Sequence, residues 1–255
     1  MNKISKAIII AAGMGKRLNP LTNDIPKCLL RIGDKTIMER QLQTLKLCGI
    51  TDAAIVRGYQ GNKINFPGIK YYENANYQNN NILNSLFCAE SAMNGSFIAA
   101  YSDILYDKSV VERLLENKND IAVVVDIDWQ EYYQDRTEHP LEEAEKVMIQ
   151  GGQVLKIGKH LTVQDSQGEF IGLVKFSEQG AAIFKKEFQR VKSQYWGKPF
   201  QQAATFEKAY LTDMLQELID RGFEVYPVLI KKNWWEIDTE QDLEKVRQIF
   251  KGRET

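Results

Sequence analysis

Two glycines and two cations near the start of the chain form the pattern with the clearest chemical meaning. Gly13 and Gly15 follow an apolar run that ends at Ala11, and Arg17 and Lys27 come shortly after them. Glycines let backbone N–H groups approach phosphate oxygens closely, and the two cations neutralise the negative charge. A loop of this kind at the carboxyl end of a strand lies where α/β sheets bind their ligands. The pattern therefore predicts a phosphate-binding loop.

Two common phosphate loops do not fit these residues. A Walker loop requires Gly at position 10 and Ser or Thr at position 17, but the chain has Ile10 and Arg17. The dinucleotide fingerprint requires a third small residue where the chain has Leu18. The stretch from Ile9 to Lys27 instead resembles the signature of nucleotidyltransferases that join an NTP to a small phosphorylated acceptor. That signature is A-A-G-x-G-x-R-L-x-P-x-T followed by P-K, and every fixed position of it is filled.

The resemblance implies roles for the residues of this stretch. Arg17 and Lys27 are expected to be catalytic, because they would meet the charge that grows in the transition state. The loop and its neighbours are expected to bind the nucleotide through Ala11, Ala12, Gly13, Gly15 and Lys16. An ordinary strand-to-helix turn with nearby surface cations is the alternative interpretation.

Composition and charge exclude several classes of protein. The 255 residues are 44% hydrophobic and 26% charged, which is typical of a soluble domain with a large core. A net charge of −1 provides no broad basic field for nucleic acid or an anionic membrane. No apolar run approaches the ~20 residues of a membrane span. The three cysteines lack metal-ligand spacing, which favours reduced thiols in a cytoplasmic protein.

The elements that must position these residues alternate between strands and helices in the first half of the chain. Apolar runs predict strands at 6–11, 53–56, 69–72, 97–101 and 121–125, and amphipathic stretches predict helices at 36–48, 82–93 and 109–115. Later segments predict a hairpin of 146–149 with 153–157, strands at 170–176 and 225–229, and helices at 178–191, 211–220 and 239–250. This order predicts an α/β fold with a three-layer, mainly parallel sheet. The resemblance implies a nucleotidyltransferase (glycosyltransferase-A-like) fold as a single domain, 1–255, with a small acceptor-binding sub-lobe at about 129–210.

Two aspartates at strand ends are the candidate metal ligands. Asp103 follows the predicted strand 97–101, and Asp238 ends a further predicted strand, Trp234-Trp235-Glu236-Ile237, just before the last helix. Magnesium takes oxygen ligands, usually one or two carboxylates together with substrate phosphates. In the resembling family an aspartate after the fourth-strand region and a later one in an E-x-D context hold the metal, so the resemblance implies an Mg²⁺ cofactor. His139 and His160 lack metal-ligand spacing and are expected at the surface.

An amide-rich segment at the head of a helix is the candidate base-binding site. Residues 79–86 read Asn-Asn-Asn-Ile-Leu-Asn-Ser-Leu. Amide and hydroxyl groups hydrogen-bond the edge of cytosine, so that Asn81, Asn84 and Ser85 are expected to contact the base. Helix capping by asparagine is the alternative. Sugar-nucleotide pyrophosphorylases have Gln-Pro-x-Gly-x-Ala at this point, whereas this segment resembles the cytidylyltransferases for phosphocholine and related small phosphonates.

Three residues are candidates for binding the acceptor. Lys159 follows a predicted strand and would hold a phosphate or phosphonate, although the Glu-Lys-Pro pattern of the sugar enzymes is missing here. Asp128 and Trp129 follow another strand and would hold an amino or ammonium group between a carboxylate and an aromatic face. A solvated lysine and a packed strand end are the alternatives.

These patterns predict a cytidylyltransferase that joins CMP from CTP to a small phosphate or phosphonate acceptor, such as phosphocholine or 2-aminoethylphosphonate, and releases pyrophosphate. The acceptor oxygen is already ionised, so that no general base is required. A sugar-1-phosphate nucleotidyltransferase and a non-catalytic nucleotide-binding module stay open as alternatives. A glycosyltransferase would use Asp126-Ile127-Asp128 as a D-x-D metal motif, but it would lack the glycine loop. The sequence leaves the oligomeric state open.

Overall fold

Thirteen β-strands and seven α-helices make up the part of the chain that the computed structural model describes, residues 4–252. Residues 1–3 and 253–255 of the predicted domain lie outside this range. The strands are β1 (Lys6–Ala11), β2 (Arg31–Ile32), β3 (Lys35–Thr36), β4 (Asp52–Arg57), β5 (Lys70–Glu73), β6 (Phe97–Tyr101), β7 (Ile104–Tyr106), β8 (Ile121–Asp126), β9 (Lys146–Gln150), β10 (Gln153–Gly158), β11 (Gly168–Phe176), β12 (Tyr226–Ile230) and β13 (Trp234–Glu236). The helices are α1 (Ile37–Leu47), α2 (Ile82–Phe87), α3 (Lys108–Glu116), α4 (Trp129–Tyr133), α5 (Glu178–Tyr195), α6 (Leu211–Asp220) and α7 (Glu240–Lys251).

One large sheet has β1 near its centre. Its order is β10-β9-β11-β6-β1-β4-β5, and β8 connects β11 to β12 in the same sheet. β1 runs parallel to β4 and β6, β4 runs parallel to β5, and β12 runs parallel to β8. β11 is antiparallel to both β6 and β8, so that it joins the two parallel parts. The predicted α/β class with a mainly parallel sheet is confirmed.

The alternation of side chains along β1 explains why helices cover both faces of the sheet. Ile8 and Ile10 pack on one face with residues of α2, α5 and α6, whereas Ile9 and Ala11 pack on the other face with residues of α1 and α3. Successive side chains of a strand point to opposite faces, so a continuous apolar run needs an apolar layer on each side. The result is the predicted three-layer arrangement. None of the helices within residues 4–252 has the length and apolar character needed to cross a bilayer.

Several helices differ from the prediction at their ends, among them α5, which is predicted over 178–191 and extends to Tyr195. The helix predicted over 82–93 ends at Phe87. A short 3-10 turn follows, in which the N–H of Ala92 donates to the carbonyl of Ala89 at 2.8 Å and turns the chain toward β6. Asp107 rather than Ser109 occupies the N-cap of α3, since that helix already begins at the next residue.

The segment 129–210, predicted to form a sub-lobe, is continuous with the central sheet. It contributes β9, β10 and β11 to that sheet, together with α4 and α5. β9 and β10 form the predicted hairpin, and both of its turn glycines, Gly151 and Gly152, have positive φ. The segment therefore extends the sheet that carries the candidate site.

A small two-stranded pairing brings two distant loops together. β13 pairs antiparallel with β7, and the N–H of Ile237 donates to the carbonyl of Asp103 at 2.9 Å. The helix α7 that follows begins with a capping box, in which Thr239 and Asp242 exchange hydrogen bonds. The end of β13 is thereby fixed beside the end of β6.

Candidate active site

A cleft of two connected chambers lies at the carboxyl ends of β1 and β6, the edge where parallel sheets bind ligands. The first chamber has a volume of about 170 Å³, and its lining includes Ala11, Ala12, Asn81, Ser85 and Ser102. The second chamber has a volume of about 380 Å³, and its lining includes Lys16, Arg17, Glu145, Lys159, Glu169 and Asp238. Both chambers are lined by Gly13, Gly15, Lys27, Tyr101 and Asp103.

The loop after β1 has the conformation that its glycines allow. Gly15 has a left-handed backbone with φ of 61°, and a Cβ placed there would lie 3.1 Å from the Cβ of Lys27. The carbonyl of Gly15 accepts a hydrogen bond from Thr22 Oγ1 at 2.8 Å, so that the threonine of the signature stabilises the loop. A Cβ placed at Gly13 would meet nothing within 4 Å, because this glycine borders the open space of the cleft.

Lys27 lies between two aspartates where the chambers meet. Its Nζ is 2.6 Å from Asp103 Oδ2 and 2.5 Å from Asp238 Oδ1. Arg17 Nη2 lies 2.6 Å from the other carboxylate oxygen of Asp238. Burial alone would lower the pKa of Lys27, but the two carboxylates outweigh it and raise that pKa. Burial would raise the pKa of Asp238, but Lys27 and Arg17 hold it well below its usual range, so that both ions are charged at neutral pH.

The two predicted metal ligands therefore face each other across one ammonium group. Asp103 follows β6 and Asp238 follows β13, and the pairing of β7 with β13 sets their separation. Asp103 Oδ1 is buried and has no hydrogen-bond partner within residues 4–252. Carboxylate oxygens, one of them unpartnered, fit a hard divalent cation, which prefers oxygen ligands.

A buried network behind Asp238 was not predicted from the sequence. Arg136 donates to both carboxylate oxygens of Asp242, at 2.8 and 2.9 Å, and to Glu236 Oε2 at 3.0 Å. Asp242 Oδ2 in turn accepts a hydrogen bond from the N–H of Asp238 at 3.0 Å. The guanidinium thus fixes the backbone that carries one of the two candidate metal ligands.

His139 corrects the prediction that both histidines lie at the surface. It is 3% exposed and lines the second chamber, whereas His160 is exposed. Burial and the neighbouring Arg136 lower the pKa of His139 to about 4, so that its ring is neutral at pH 7. Arg136 donates to Nδ1 at 3.0 Å, which places the ring proton on Nε2. Ligand atoms of His139, Glu236 and Asp238 lie within 4.8 Å of one another, close enough to hold a metal ion.

The three candidate base-binding residues of the amide-rich segment do not all lie in the cleft. Asn81 caps α2 and lines both chambers. Ser85 lines the first chamber and accepts a hydrogen bond from Asn74 Nδ2 at 2.8 Å. The amide of Asn84 instead donates to the carbonyl of Phe206 at 3.0 Å, and Asn84 is not among the described residues that line either chamber. The prediction that Asn84 contacts the base is therefore corrected.

Lys159 lies in the second chamber, where an acceptor-binding role would place it. Its Nζ is 2.7 Å from Glu143 Oε2 and 4.6 Å from the centre of the Tyr210 ring. Burial would lower the pKa of Lys159, but the hydrogen bond to Glu143 and the charge of Glu145 raise it. The ammonium is therefore charged at neutral pH, and its binding role stays a prediction.

Two buried glutamates line the second chamber and were missed by sequence reasoning. Glu145 accepts hydrogen bonds from the hydroxyls of Tyr101 and Thr212, both at 3.0 Å. Burial raises the pKa of Glu145 to about 7 and holds that of Glu169 well above its usual range. The sequence signal that could have identified Glu169 is an acidic residue directly before the apolar run Phe170–Val174.

Asp128 and Trp129 lie outside the cleft, which corrects their predicted role. β8 ends at Asp126 and Asp128 occupies the N-cap of α4, so the strand alternation assumed for them does not apply. Trp129 is 1% exposed and packs edge-on against Tyr133, so that its ring has no free face for a ligand. Asp128 Oδ1 lies 3.7 Å from the Nζ of Lys231.

The Asp126-Ile127-Asp128 triplet, which a glycosyltransferase would use as a metal motif, has a structural role. Asp126 Oδ2 accepts a hydrogen bond from Trp234 Nε1 at 2.7 Å, and Oδ1 accepts one from the N–H of Asp128 at 3.0 Å. Both oxygens of this buried carboxylate are engaged within the fold. This triplet therefore does not provide the metal site that a glycosyltransferase would need.

In a comparison with known protein families, one family model matches most of the chain. The model, described as the MobA-like NTP transferase domain, matches residues 7–231. The CTP:phosphoglutamine cytidylyltransferase of Campylobacter jejuni is 34% identical over 250 residues, which cover 93% of this chain and 97% of that protein. The choline-phosphate cytidylyltransferase of Streptococcus pneumoniae is 32% identical over 105 residues, which cover 40% of this chain and 46% of that protein.

Two solved structures share the fold. The inositol-1-phosphate CTP transferase from T. maritima has a TM-score of 0.76 at 23% identity, with 98% of this chain and 96% of that chain covered. The CTP:phosphocholine cytidylyltransferase from Streptococcus pneumoniae has a TM-score of 0.73 at 22% identity, with 96% and 98% covered. At these identities the likeness concerns the fold alone, and it confirms the predicted nucleotidyltransferase architecture.

The free energy of unfolding should depend on pH through Glu145. Its pKa is 4.5 in an ordinary environment and about 7 in the fold, so between these values the unfolded chain loses a proton that the folded chain keeps. As pH rises from 4.5 to about 7, the free energy of unfolding of the wild type should therefore fall. Relative to that of Glu145→Gln, the fall should be on the order of 3 kcal/mol. Denaturant unfolding of both proteins across this range measures the difference. A difference that stays constant with pH would contradict the shifted pKa.

Proposed function

Because the chain belongs to the MobA-like NTP transferase family, we propose that it is a cytidylyltransferase that joins CMP from CTP to a small phosphorylated or phosphonate acceptor. The observation that carries the proposal is the charge cluster of Arg17, Lys27, Asp103 and Asp238 beside the glycine loop. Lys27 and Asp103 border both chambers. A chamber for each substrate, with cations near their junction, suits a reaction between two anions.

The proposed reaction is a displacement at the α-phosphorus of the nucleotide. An ionised oxygen of the acceptor forms the new P–O bond, and the bond to the leaving pyrophosphate breaks. The protein has no proton to remove, because the nucleophile is already an anion at neutral pH. It must supply positive charge, since two anions approach each other and charge accumulates on the leaving group. Arg17 and Lys27 would supply that charge, and the backbone of the glycine loop would hold phosphate oxygens.

Asp103 and Asp238 would hold Mg²⁺ beside these cations. The buried, unpartnered Oδ1 of Asp103 supports this assignment, because it is an oxygen for which the described fold provides no donor. When bound, the ion would neutralise phosphate charge in the way the two side-chain cations do. Lys27 bonds the same two carboxylates, so its ammonium is held where phosphate and metal ion would meet.

The first chamber would bind the cytosine base. Asn81 and Ser85 line it, and the oxygen atoms of an amide or hydroxyl can each accept two hydrogen bonds. A polar site of this kind rejects other bases by leaving its own groups unpaired. The cytidylyltransferase relatives support the assignment, since both sequence relatives described above are named for this activity.

The second chamber would bind the acceptor. Lys159 would take its phosphate or phosphonate, as the sequence predicts. Glu143, Glu145, Glu169 and Glu236 also line this chamber, and their carboxyl groups favour a positive group at the other end of the acceptor. The names of the relatives, phosphoglutamine and choline-phosphate cytidylyltransferase, support an acceptor that contains nitrogen.

CTP should give the fastest release of pyrophosphate when the four NTPs are each combined with a panel of acceptors. The panel contains phosphocholine, 2-aminoethylphosphonate, phosphoglutamine and hexose 1-phosphates. Equal rates with UTP, or a preference for a purine nucleotide, would contradict the assignment of the first chamber to cytosine. A best rate with a hexose 1-phosphate would favour the sugar-1-phosphate alternative, and nucleotide binding without turnover would favour a non-catalytic module.

Arg17→Ala should lower kcat by ~10²-fold or more, because its charge is proposed to stabilise the transition state. The side chain of Arg17 is 49% exposed, so the fold should survive its removal. Steady-state kinetics and a thermal unfolding midpoint measure the two effects separately. The control is Lys46→Ala, which removes an exposed cation from α1 and should leave kcat unchanged. A kcat near wild type in folded Arg17→Ala would remove Arg17 from the mechanism.

Asp103→Asn should raise the Mg²⁺ concentration needed for half-maximal activity by ~10-fold or more, since the amide keeps the shape of the side chain but loses its charge. Titration of activity with MgCl₂ measures this change. Asp128→Asn is the matched control, because Asp128 lies outside the cleft and should not alter the Mg²⁺ profile. An unchanged profile in Asp103→Asn would show that the metal site lies elsewhere.

A further inference from the structure

The second chamber contains a buried carboxylate oxygen for which the described fold supplies no donor. Glu169 is 4% exposed and lines this chamber. Its Oε1 accepts a hydrogen bond from the hydroxyl of Tyr133 at 2.6 Å, but its Oε2 has no partner within residues 4–252. A buried polar atom without a partner is costly, by about 1–3 kcal/mol and more when it is charged. In a ligand chamber such an atom calls for a donor that arrives with the ligand.

Two cations, Lys146 and Arg136, interact electrostatically with Glu169, but neither forms a hydrogen bond with its Oε2. Lys146 lies opposite Glu169 in the pairing of β9 with β11. Its Nζ, however, donates to the carbonyls of Glu142 and Ala144, both at 3.1 Å. Arg136 donates through Nε and Nη2 to the carboxylates of β13 and α7, and its buried Nη1 has no hydrogen-bond partner within residues 4–252, Glu169 Oε2 included. Neither cation donates to Oε2, so the charge of an ionised Glu169 has no direct counter-ion in the described fold.

The electrostatics of the chamber favour a positive donor over a neutral one. Burial holds the pKa of Glu169 well above its usual range, with Asp126 and Glu145 adding to the shift and Tyr133 and Arg136 opposing it. A cation placed at Oε2 would lower that pKa and stabilise the ionised carboxylate. A hydroxyl or amide would leave Glu169 in the protonated state that burial favours, whereas an ammonium group would form an ion pair with the ionised carboxylate.

We propose that Glu169 Oε2 accepts a hydrogen bond from a primary or secondary ammonium group of the acceptor and that this contact determines acceptor specificity. The inference rests on the proposed function, in which the second chamber binds the acceptor. A quaternary ammonium has no N–H for this oxygen and would need a free aromatic face. The aromatic residues that line this chamber are Tyr101, Phe170, Tyr210 and Trp234. Phe170 and Trp234 are buried, and the ring centre of Tyr210 lies 4.6 Å from the ammonium of Lys159. Because only an N–H can donate to Oε2, the ammonium recognised at this oxygen carries N–H groups.

Matched acceptors test this inference on the wild-type enzyme with CTP. O-phosphoethanolamine is compared with ethyl phosphate and with phosphocholine, 2-aminoethylphosphonate is compared with ethylphosphonate, and phosphoglutamine is compared with its analogue that lacks the α-amino group. In each pair that reacts, kcat/KM should be ~10- to 100-fold higher for the member with the N–H cation, as expected for a hydrogen bond to a charged group. O-phosphoethanolamine should also exceed phosphocholine, which differs only by three N-methyl groups.

Glu169→Gln then assigns the selectivity to one side chain. This variant keeps the shape of Glu169 and removes its charge. It should lower kcat/KM for the amine-bearing acceptors by ~10- to 100-fold, mainly through KM, and change that for the nitrogen-free partners by less than about 2-fold. KM for CTP should stay unchanged, which also shows that the protein is folded. Glu131→Gln, on the exposed face of α4, is the matched control and should change neither ratio.

A second variant covers the case in which Glu169→Gln does not fold. Glu169→Asp keeps the charge but withdraws the oxygens by one methylene, and it should lower the ratio between amine-bearing and nitrogen-free acceptors to an intermediate value. Equal rates within the wild-type pairs, a preference for phosphocholine, or equal losses for both members of a pair in the variants would each overturn the inference while CTP turnover stands. Failure of every acceptor to release pyrophosphate with any NTP would instead contradict the proposed function itself.

Discussion

The ion pairs of Lys27 are the constraint on which the rest of the site depends. The ammonium joins Asp103, which follows β6, to Asp238, which follows β13, at 2.6 and 2.5 Å. Removal of one member of a buried pair leaves an uncompensated charge, which costs about 3–5 kcal/mol. The ion pairs therefore fix the positions of the two strand ends and of the Lys27 segment relative to one another. The same contacts keep Lys27 and Asp238 ionised at neutral pH, so that the charge is in place before a substrate binds.

Sequence reasoning located candidate residues in the cleft where they follow β1 or β6, which are neighbouring parallel strands. The glycine loop and Asp103 could be placed because the carboxyl ends of neighbouring parallel strands meet at one edge of a sheet. The same reasoning failed for Asp128 and Trp129, because β8 pairs with β11 and β12 rather than with β1 or β6. A short helix begins at Trp129, shortly after β8 ends at Asp126, and the indole ring turns into the interior. Asp103 and Asp128 both lie two residues beyond a strand, so the place of the strand in the sheet and the conformation that follows it decide which side chain reaches the cleft.

The buried polar groups of the cleft could not be placed from one sequence, because each depends on a contact between distant segments. Arg136 is tolerated in the interior only because α7 brings Asp242 to its guanidinium and β13 brings Glu236. His139 is neutral at pH 7 because burial lowers its pKa and the neighbouring guanidinium lowers it further. Neither residue has a local pattern that distinguishes it from a surface residue. A charged residue can be recognised as buried only when its partners are known, and these partners are known only from the tertiary structure.

Tyr101 connects the two chambers and shows how the sheet sets the distance between them. Its ring borders both chambers, and its hydroxyl donates to Glu145 Oε2 at 3.0 Å. Gly172 in β11 has φ of 83°, and a Cβ there would lie 2.5 Å from Tyr101 Cδ2. The pairing of β11 with β8 is irregular between Phe170 and Val174, so the sheet loses regular register where the ring requires space. Because Tyr101 is held by the sheet backbone and by Glu145, a rigid element borders both chambers, alongside the glycine loop that also lines them. Two substrates bound on either side would meet at a fixed spacing, which is the geometric requirement of an in-line displacement.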